Sequence, residues 1–161
     1  MKSYVEIDGW RSNICFSAAH IIHEYEKCGR LHGHTYAIHA KIIGDVDSKG
    51  IIVDFSILKK ILREIANYLD HKVLIPEKSK IAKFEINKKD SVKITALGKI
   101  YVFPFSDCVF LPIASTSAEN ITKFILDFII KNLDIPSGIK YIEIGIDEGF
   151  GQGAKISKKI K

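Results

Sequence analysis

The spacing of apolar and polar positions changes period several times along the chain, and each change marks an element. Residues 11 to 20, RSNICFSAAH, alternate loosely and stop at His20. Residues 34 to 44, HTYAIHAKIIG, are rich in β-branched and aromatic side chains and close on a glycine, so both segments read as strands. From Asp54 the period lengthens: Leu58, Ile61, Leu62, Ile65 and Leu69 recur at helical spacing in FSILKKILREIANYLD, and Asp54 is a good N-cap ahead of them. A second amphipathic helix is predicted over ENITKFILDFIIKNL. There Ile121, Phe124, Ile125, Phe128 and Ile129 form a broad apolar face, with Thr116 and Glu119 as a capping box. After Pro136 and Gly138, IKYIEIGI alternates as a strand, the Gly-rich DEGFGQG turns, and AKIS pairs back before a basic tail, KISKKIK.

Residues 77 to 113 look different. Short apolar runs (KFEI, VKI, IYVF) separated by NKKD and Gly98 predict an inserted β-hairpin or meander, ending in a loop around Pro104 and Pro112. The order strand, strand, helix, insert, helix, strand, strand argues for an α+β class with an antiparallel sheet rather than alternating βαβ units. Neither an internal repeat nor a linker divides residues 1 to 161, so one domain is expected.

Composition narrows the class. With 161 residues, 47% of them hydrophobic, the chain can bury a real core, and its 27% charged content excludes a disordered or low-complexity protein. No apolar stretch approaches the roughly 20 residues that span a bilayer. The early Glu6 and Asp8 interrupt anything like a signal peptide, so a cytoplasmic protein is expected, with Cys15, Cys28 and Cys108 as thiols. A net charge of +5 suits anionic ligands, without choosing between nucleic acid and a phosphorylated metabolite.

The densest chemical signal is Cys28-Gly-Arg-Leu-His32-Gly-His34. If His32 and His34 lie at the start of a strand, the two-residue period puts both imidazoles on one face. An antiparallel partner ending at His20 brings a third beside them. Three neutral imidazoles bind Zn²⁺ and leave a fourth position open, the pattern of a catalytic site. An alternative makes Cys28 the fourth ligand of a closed structural site, and spacing alone does not decide between them. A cupin-like site would need a Glu shortly after the HxH, where this strand has Ala37, Ile38 and His39. His39 falls on the opposite face and His23 in the loop, so neither joins the set. Cys28 lies between Lys27 and Arg30 and near the dication, surroundings that favour a nucleophilic or basic thiolate. Cys15 and Cys108 sit in apolar runs as core filler. At the end of the first helix Asp70 can orient the ring of His71, which can then donate or relay a proton. Glu148 opens the Gly-rich turn, where a carboxylate can accept two N–H donors from a planar heterocycle.

Together these pieces resemble the 6-pyruvoyltetrahydropterin synthase and 6-carboxytetrahydropterin synthase family. The matching segments are FSAAH (16 to 20), CGRLHGH (28 to 34), VDF (53 to 55), LDH (69 to 71), SAEN (117 to 120) and Glu148 followed by Ala154. They occur in the family's order and cover nearly all of the chain outside 77 to 113. The resemblance implies His20, His32 and His34 as zinc ligands, Cys28 as catalytic base with Asp70 and His71 as triad partners, and Glu148 as the pterin anchor. It implies the tunnelling fold, a four-stranded antiparallel sheet with two helices on one face, assembled through trimers into hexamers with active sites between subunits. The implied substrate is 7,8-dihydroneopterin triphosphate. Three residues between Cys28 and the HGH pair resemble the branch that forms 6-carboxytetrahydropterin for queuosine or archaeosine synthesis, releasing triphosphate and acetaldehyde; the pyruvoyl-forming branch has a longer spacer. Gly149 and Ile156 stand where the family often has Thr and Tyr. A non-enzymatic alternative is a zinc-stabilised basic module using KISKKIK, although short basic tails are usually just solvated. The expected partners are therefore a small-molecule substrate and further copies of the chain, with no direct nucleic-acid or membrane partner.

Overall fold

In the computed structural model, which describes residues 3–160, the elements run β1 (Ser3–Ile7), β2 (Cys15–His20), β3 (His32–Gly44), α1 (Phe55–Leu69), β4 (Lys72–Pro76), β5 (Lys83–Ile86), β6 (Ser91–Ala96), β7 (Lys99–Pro104), β8 (Cys108–Leu111), α2 (Ala118–Asn132), β9 (Ile139–Glu148) and β10 (Gly153–Lys159). Among them, β10-β9-β3-β2 is the expected antiparallel core. Even-numbered residues of β3 and β9 turn to one face, where Tyr36, Ile38, Ala40 and Ile42 meet Ile142, Ile144 and Ile146 in a fully buried layer. Both helices cover that face. Leu58, Ile61, Leu62, Ile65 and Leu69 of α1 are buried, as their spacing predicts, and burying each such side chain contributes about 1.5–3 kcal/mol. Asp54 caps α1 by accepting from the Ser56 N–H at 2.7 Å. No helix among the described residues is long and apolar enough to cross a membrane.

Several elements differ from the sequence expectation. The sheet has seven strands and is mixed: β4 pairs parallel to β2, β8 pairs parallel to β4, and β1 pairs with the far half of β3. The runs KVLIP and CVFL are too short to display a period, so only tertiary pairing defines them as strands. The first predicted strand starts at Cys15, because residues 11 to 14 turn, with Asn13 at φ 50°. The second starts two residues earlier than predicted, at His32. The insert is a three-stranded meander, β5-β6-β7, whose inner side (Val92, Ile94, Ala96, with Tyr101 and Phe103) packs on Ile75 of β4 and makes a second small core. On α2 the buried face is Ile121, Thr122, Ile125, Leu126 and Ile129, rotated from the predicted one, and Phe124 and Phe128 pack at its margin. Its N-cap is Ser117, accepting from the Asn120 N–H, rather than Thr116 with Glu119. Most of the basic tail is strand: Lys155, Lys158 and Lys159 lie in β10, paired with β9, and Lys161 lies outside the described residues.

Candidate functional site

Three imidazoles meet where the helix-covered face of the sheet ends beside the N-terminus of α2. The β2–β3 register puts His20 opposite His32 and Ala18 opposite His34, and the pleat turns all three rings to the same side. Their ligand atoms lie within 4.8 Å of one another. Gly33 permits the close pairing, since a Cβ there would stand 2.8 Å from the Ala18 carbonyl. His20 is buried, and its Nδ1 donates to the Thr116 carbonyl at 2.8 Å; Nδ1 of His32 donates to the Arg30 carbonyl at 2.8 Å. A ring that donates from Nδ1 keeps its lone pair on Nε2, so both side chains keep Nε2 available to a metal. Burial, reinforced by the neighbouring His32 and His34 and opposed by the Thr116 bond, brings the His20 pKa down to about 4. The ring is therefore neutral at pH 7. This donor set of imidazoles fits a divalent metal of borderline softness. Cys28 stands outside the group, so the geometry favours the open three-imidazole arrangement over the closed four-ligand one.

Tyr36, two residues beyond His34 on the same face, connects this group to Glu148. Its hydroxyl donates to Oε1 of Glu148 at 3.4 Å and lies 3.4 Å from Nε2 of His20. Burial, then the Glu148 charge, raises the Tyr36 pKa far above the usual phenol value, so the hydroxyl keeps its proton. Glu148 in turn lines an open cavity of about 360 Å³ with Cys28, Ile22, Ser117, Glu119 and Gln152. Cys28 and Glu148 thus share a pocket, one link away from the imidazoles.

The Asp70–His71 pair is elsewhere in the chain. Asp70 Oδ1 accepts from the Ser17 N–H at 2.7 Å and Oδ2 accepts from His71 Nδ1 at 2.8 Å, with the His71 backbone at φ 55°. The Ser17 bond does most to lower the Asp70 pKa, burial opposes it, and the bonds to His71 and its charge lower it further. His71 lines a different, shallow pocket with His34 and Lys72 and with Ser17 and Thr35, which belong to the other face of the sheet. The orientation of His71 by Asp70 is as expected; within one chain, the cavity of Cys28 does not include it. His39 also faces away from the imidazole group, as its odd position requires, and is tied to Asp147 at 3.0 Å.

Two site residues escape sequence reasoning. Tyr36 continues the period of His32 and His34, a signal that was available. Thr116 was readable only as a helix cap, yet its carbonyl orients His20 and its hydroxyl donates to the Ile21 carbonyl at 3.3 Å.

Known proteins resemble this chain along nearly its whole length. Residues 11–159 match the family model described as 6-pyruvoyl tetrahydropterin synthase. A Methanocaldococcus jannaschii protein provisionally named 6-carboxy-5,6,7,8-tetrahydropterin synthase is 35% identical over 161 residues, 98% of each chain. The 6-carboxy-5,6,7,8-tetrahydropterin synthase of Haemophilus influenzae is 31% identical over 118 residues, 70% of this chain and 74% of that one. Among solved structures, the 6-pyruvoyl tetrahydropterin synthase of Plasmodium falciparum superposes with a TM-score of 0.90 at 35% identity over 99% of both chains. With near-complete coverage in sequence and in structure, the chain belongs to the 6-pyruvoyl tetrahydropterin synthase family.

Proposed function

We propose that this chain, acting as one domain with an insert at about 77–113, is a zinc-dependent 6-carboxy-5,6,7,8-tetrahydropterin synthase. In this reading it acts on 7,8-dihydroneopterin triphosphate, releases triphosphate and acetaldehyde, and supplies the precursor of queuosine or archaeosine in the cytoplasm. The observation that carries the reading is the Tyr36 link between the imidazole group and Glu148 in the cavity of Cys28. One side of that link suits a metal and the other a flat heterocycle with adjacent N–H groups.

His20, His32 and His34 would hold the zinc, which when bound supplies Lewis acidity toward the hydroxyl oxygens of the substrate side chain. Glu148 accepts a pair of pterin N–H groups, one on each carboxylate oxygen, and the protonated Tyr36 hydroxyl, donating to Oε1, holds the carboxylate in orientation. Cys28 takes a proton from the side chain as general base. Asp70 holds the His71 ring by Nδ1, leaving Nε2 for proton transfer. His71 is 84% exposed and lies outside the Cys28 cavity, which supports a triad completed across a subunit boundary in a trimer or hexamer.

The three-residue spacer between Cys28 and His32 and the names of the M. jannaschii and H. influenzae relatives support the carboxy product. The second reading, 6-pyruvoyltetrahydropterin formation by triphosphate elimination, is favoured by the fit to the P. falciparum enzyme. Incubating zinc-loaded protein with 7,8-dihydroneopterin triphosphate and identifying the pterin by mass separates them. A 6-carboxytetrahydropterin mass with acetaldehyde is the expected outcome. A 6-pyruvoyl product establishes the second reading, and an unchanged substrate overturns both.

A further inference from the structure

The insert reaches the loop that carries Cys28. Lys99, the first residue of β7, donates from Nζ to the Gly29 carbonyl at 2.8 Å, bridging 70 positions in sequence. Both ends of this contact are built rigidly. On the insert side, Ala96 pairs with Lys99 across a two-residue turn, Leu97 and Gly98, whose φ values of 47° and 76° are those of a type I′ hairpin. The sheet behind the turn is anchored by Val92, Ile94 and Ala96 on Ile75 of the main sheet, so Lys99 projects from a packed platform. On the loop side, residues 22 to 30 fold on themselves. Ile22 N–H donates to the Cys28 carbonyl at 2.8 Å, Gly29 N–H to the Tyr25 carbonyl at 2.7 Å, and Arg30 N–H to the Lys27 carbonyl at 3.1 Å. The turn is so tight that a Cβ on Gly29 would collide with the Tyr25 carbonyl.

A loop of this kind contributes few apolar contacts, so its shape depends on bonds to its carbonyls. The Gly29 carbonyl immediately follows Cys28, and a charged ammonium is a strong donor to it. Lys99 also lies near enough to His23, in the same loop, for its charge to add to burial in lowering the pKa of that ring. The contact is therefore with the loop as a unit.

We propose that Lys99 is a positioning residue, through which the inserted sheet holds the 22–30 loop in the shape that presents Cys28 to the cavity it shares with Glu148. The catalytic half of this statement rests on the role proposed above for Cys28; the structural half does not. The test therefore reads the loop directly, in Lys99→Met, which keeps the stem and removes the donor, and in Lys99→Arg. Hydrogen exchange by mass spectrometry should show amides in 22–30 exchanging roughly 3- to 10-fold faster in Lys99→Met, the factor of an ordinary lost hydrogen bond, with β3 and α2 unchanged. Site-resolved alkylation by iodoacetamide should quicken by a similar factor at Cys28 and not at Cys15, and Lys99→Arg should restore both. If the protein turns over 7,8-dihydroneopterin triphosphate, kcat should fall in Lys99→Met with zinc content constant. Wild-type exchange and wild-type Cys28 alkylation in Lys99→Met would overturn the proposal, as would a rise in exchange spread evenly through the chain. A wild type without synthase activity whose loop still loosens in Lys99→Met would instead overturn the function assigned to Cys28 and leave the brace standing.

Discussion

Tyr36 lies directly opposite Glu148 in the β3–β9 register, and its hydroxyl bridges Oε1 of that carboxylate and Nε2 of His20, 3.4 Å from each. A wholly buried phenol that keeps its proton is otherwise a packing residue, stacked on Phe16 with ring centroids 4.8 Å apart. Tyr36→Phe keeps that packing and removes only the bridge. Its melting temperature should stay within a few degrees of wild type and its metal content should be unchanged. Affinity for a pterin, titrated by calorimetry, should fall about 2- to 12-fold, the worth of one ordinary hydrogen bond.

The imidazole group makes a second prediction, about metal content. Removing one of the three imidazoles leaves only two donors, so His32→Ala purified beside wild type should lose a near-stoichiometric bound zinc, measured by plasma emission. X-ray absorption on the wild type should show nitrogen or oxygen neighbours only. A sulfur shell at about 2.3 Å would return Cys28 to the ligand set and close the site.

How much of this was readable beforehand depends on whether a residue's role is local. The α1 core face could be read because Leu58 to Leu69 repeat with the helix period, and the His pair because the strand period puts 32 and 34 on one side. The α2 face came out rotated because Thr122 counts as polar in a sequence pattern. In the fold its hydroxyl donates to the Ala118 carbonyl at 2.6 Å, which lets the residue go into the core. Thr116 has the same ambiguity: a threonine before a helix signals a cap, and nothing local says that its carbonyl faces His20, 96 positions away. The Asp70–His71 bond was visible as a dipeptide. Its distance from the Cys28 cavity was not, since that follows from β4 entering the sheet parallel to β2 and carrying the preceding turn to the Ser17 side. The short apolar runs of the insert signal β structure, whereas the reach of Lys99 to Gly29 is a tertiary fact.

Asp70 makes a prediction about pH. Its folded pKa is below that of an unfolded Asp, about 3.9, because the carboxylate accepts from Ser17 N–H and pairs with His71. A depressed carboxylate contributes stability that is fully present above the unfolded pKa and is lost as pH falls through the folded one. The side chain is 38% exposed, so the contribution is screened, about 0.5 kcal/mol. Urea unfolding of wild type and Asp70→Asn should differ by that amount from pH 5 to 8 and converge below about pH 4. A gap that widens on acidification would contradict the assignment of cause.

Cys28 and His71 line separate pockets of one chain, and the proposed triad shared between two subunits can be tested without a structure of the assembly. Cys28→Ala should retain fold and metal but lose turnover by about 10² to 10⁴, the usual effect of removing a general base. His71→Ala should lose a comparable amount for lack of its proton carrier. Neither protein can then support the reaction as a homo-oligomer. Co-expressed in one cell, the two variants should assemble into mixed oligomers in which some boundaries join an intact Cys28 of one subunit to an intact His71 of its neighbour. Those boundaries should recover activity well above the sum of the two parents. Mixing the purified oligomers without exchange of subunits should recover none, which excludes a contribution from trace wild type. Co-expressed material no more active than its parents, but shown by tagged pull-down to be mixed, would place the partner of Cys28 within its own chain and overturn the site shared between subunits.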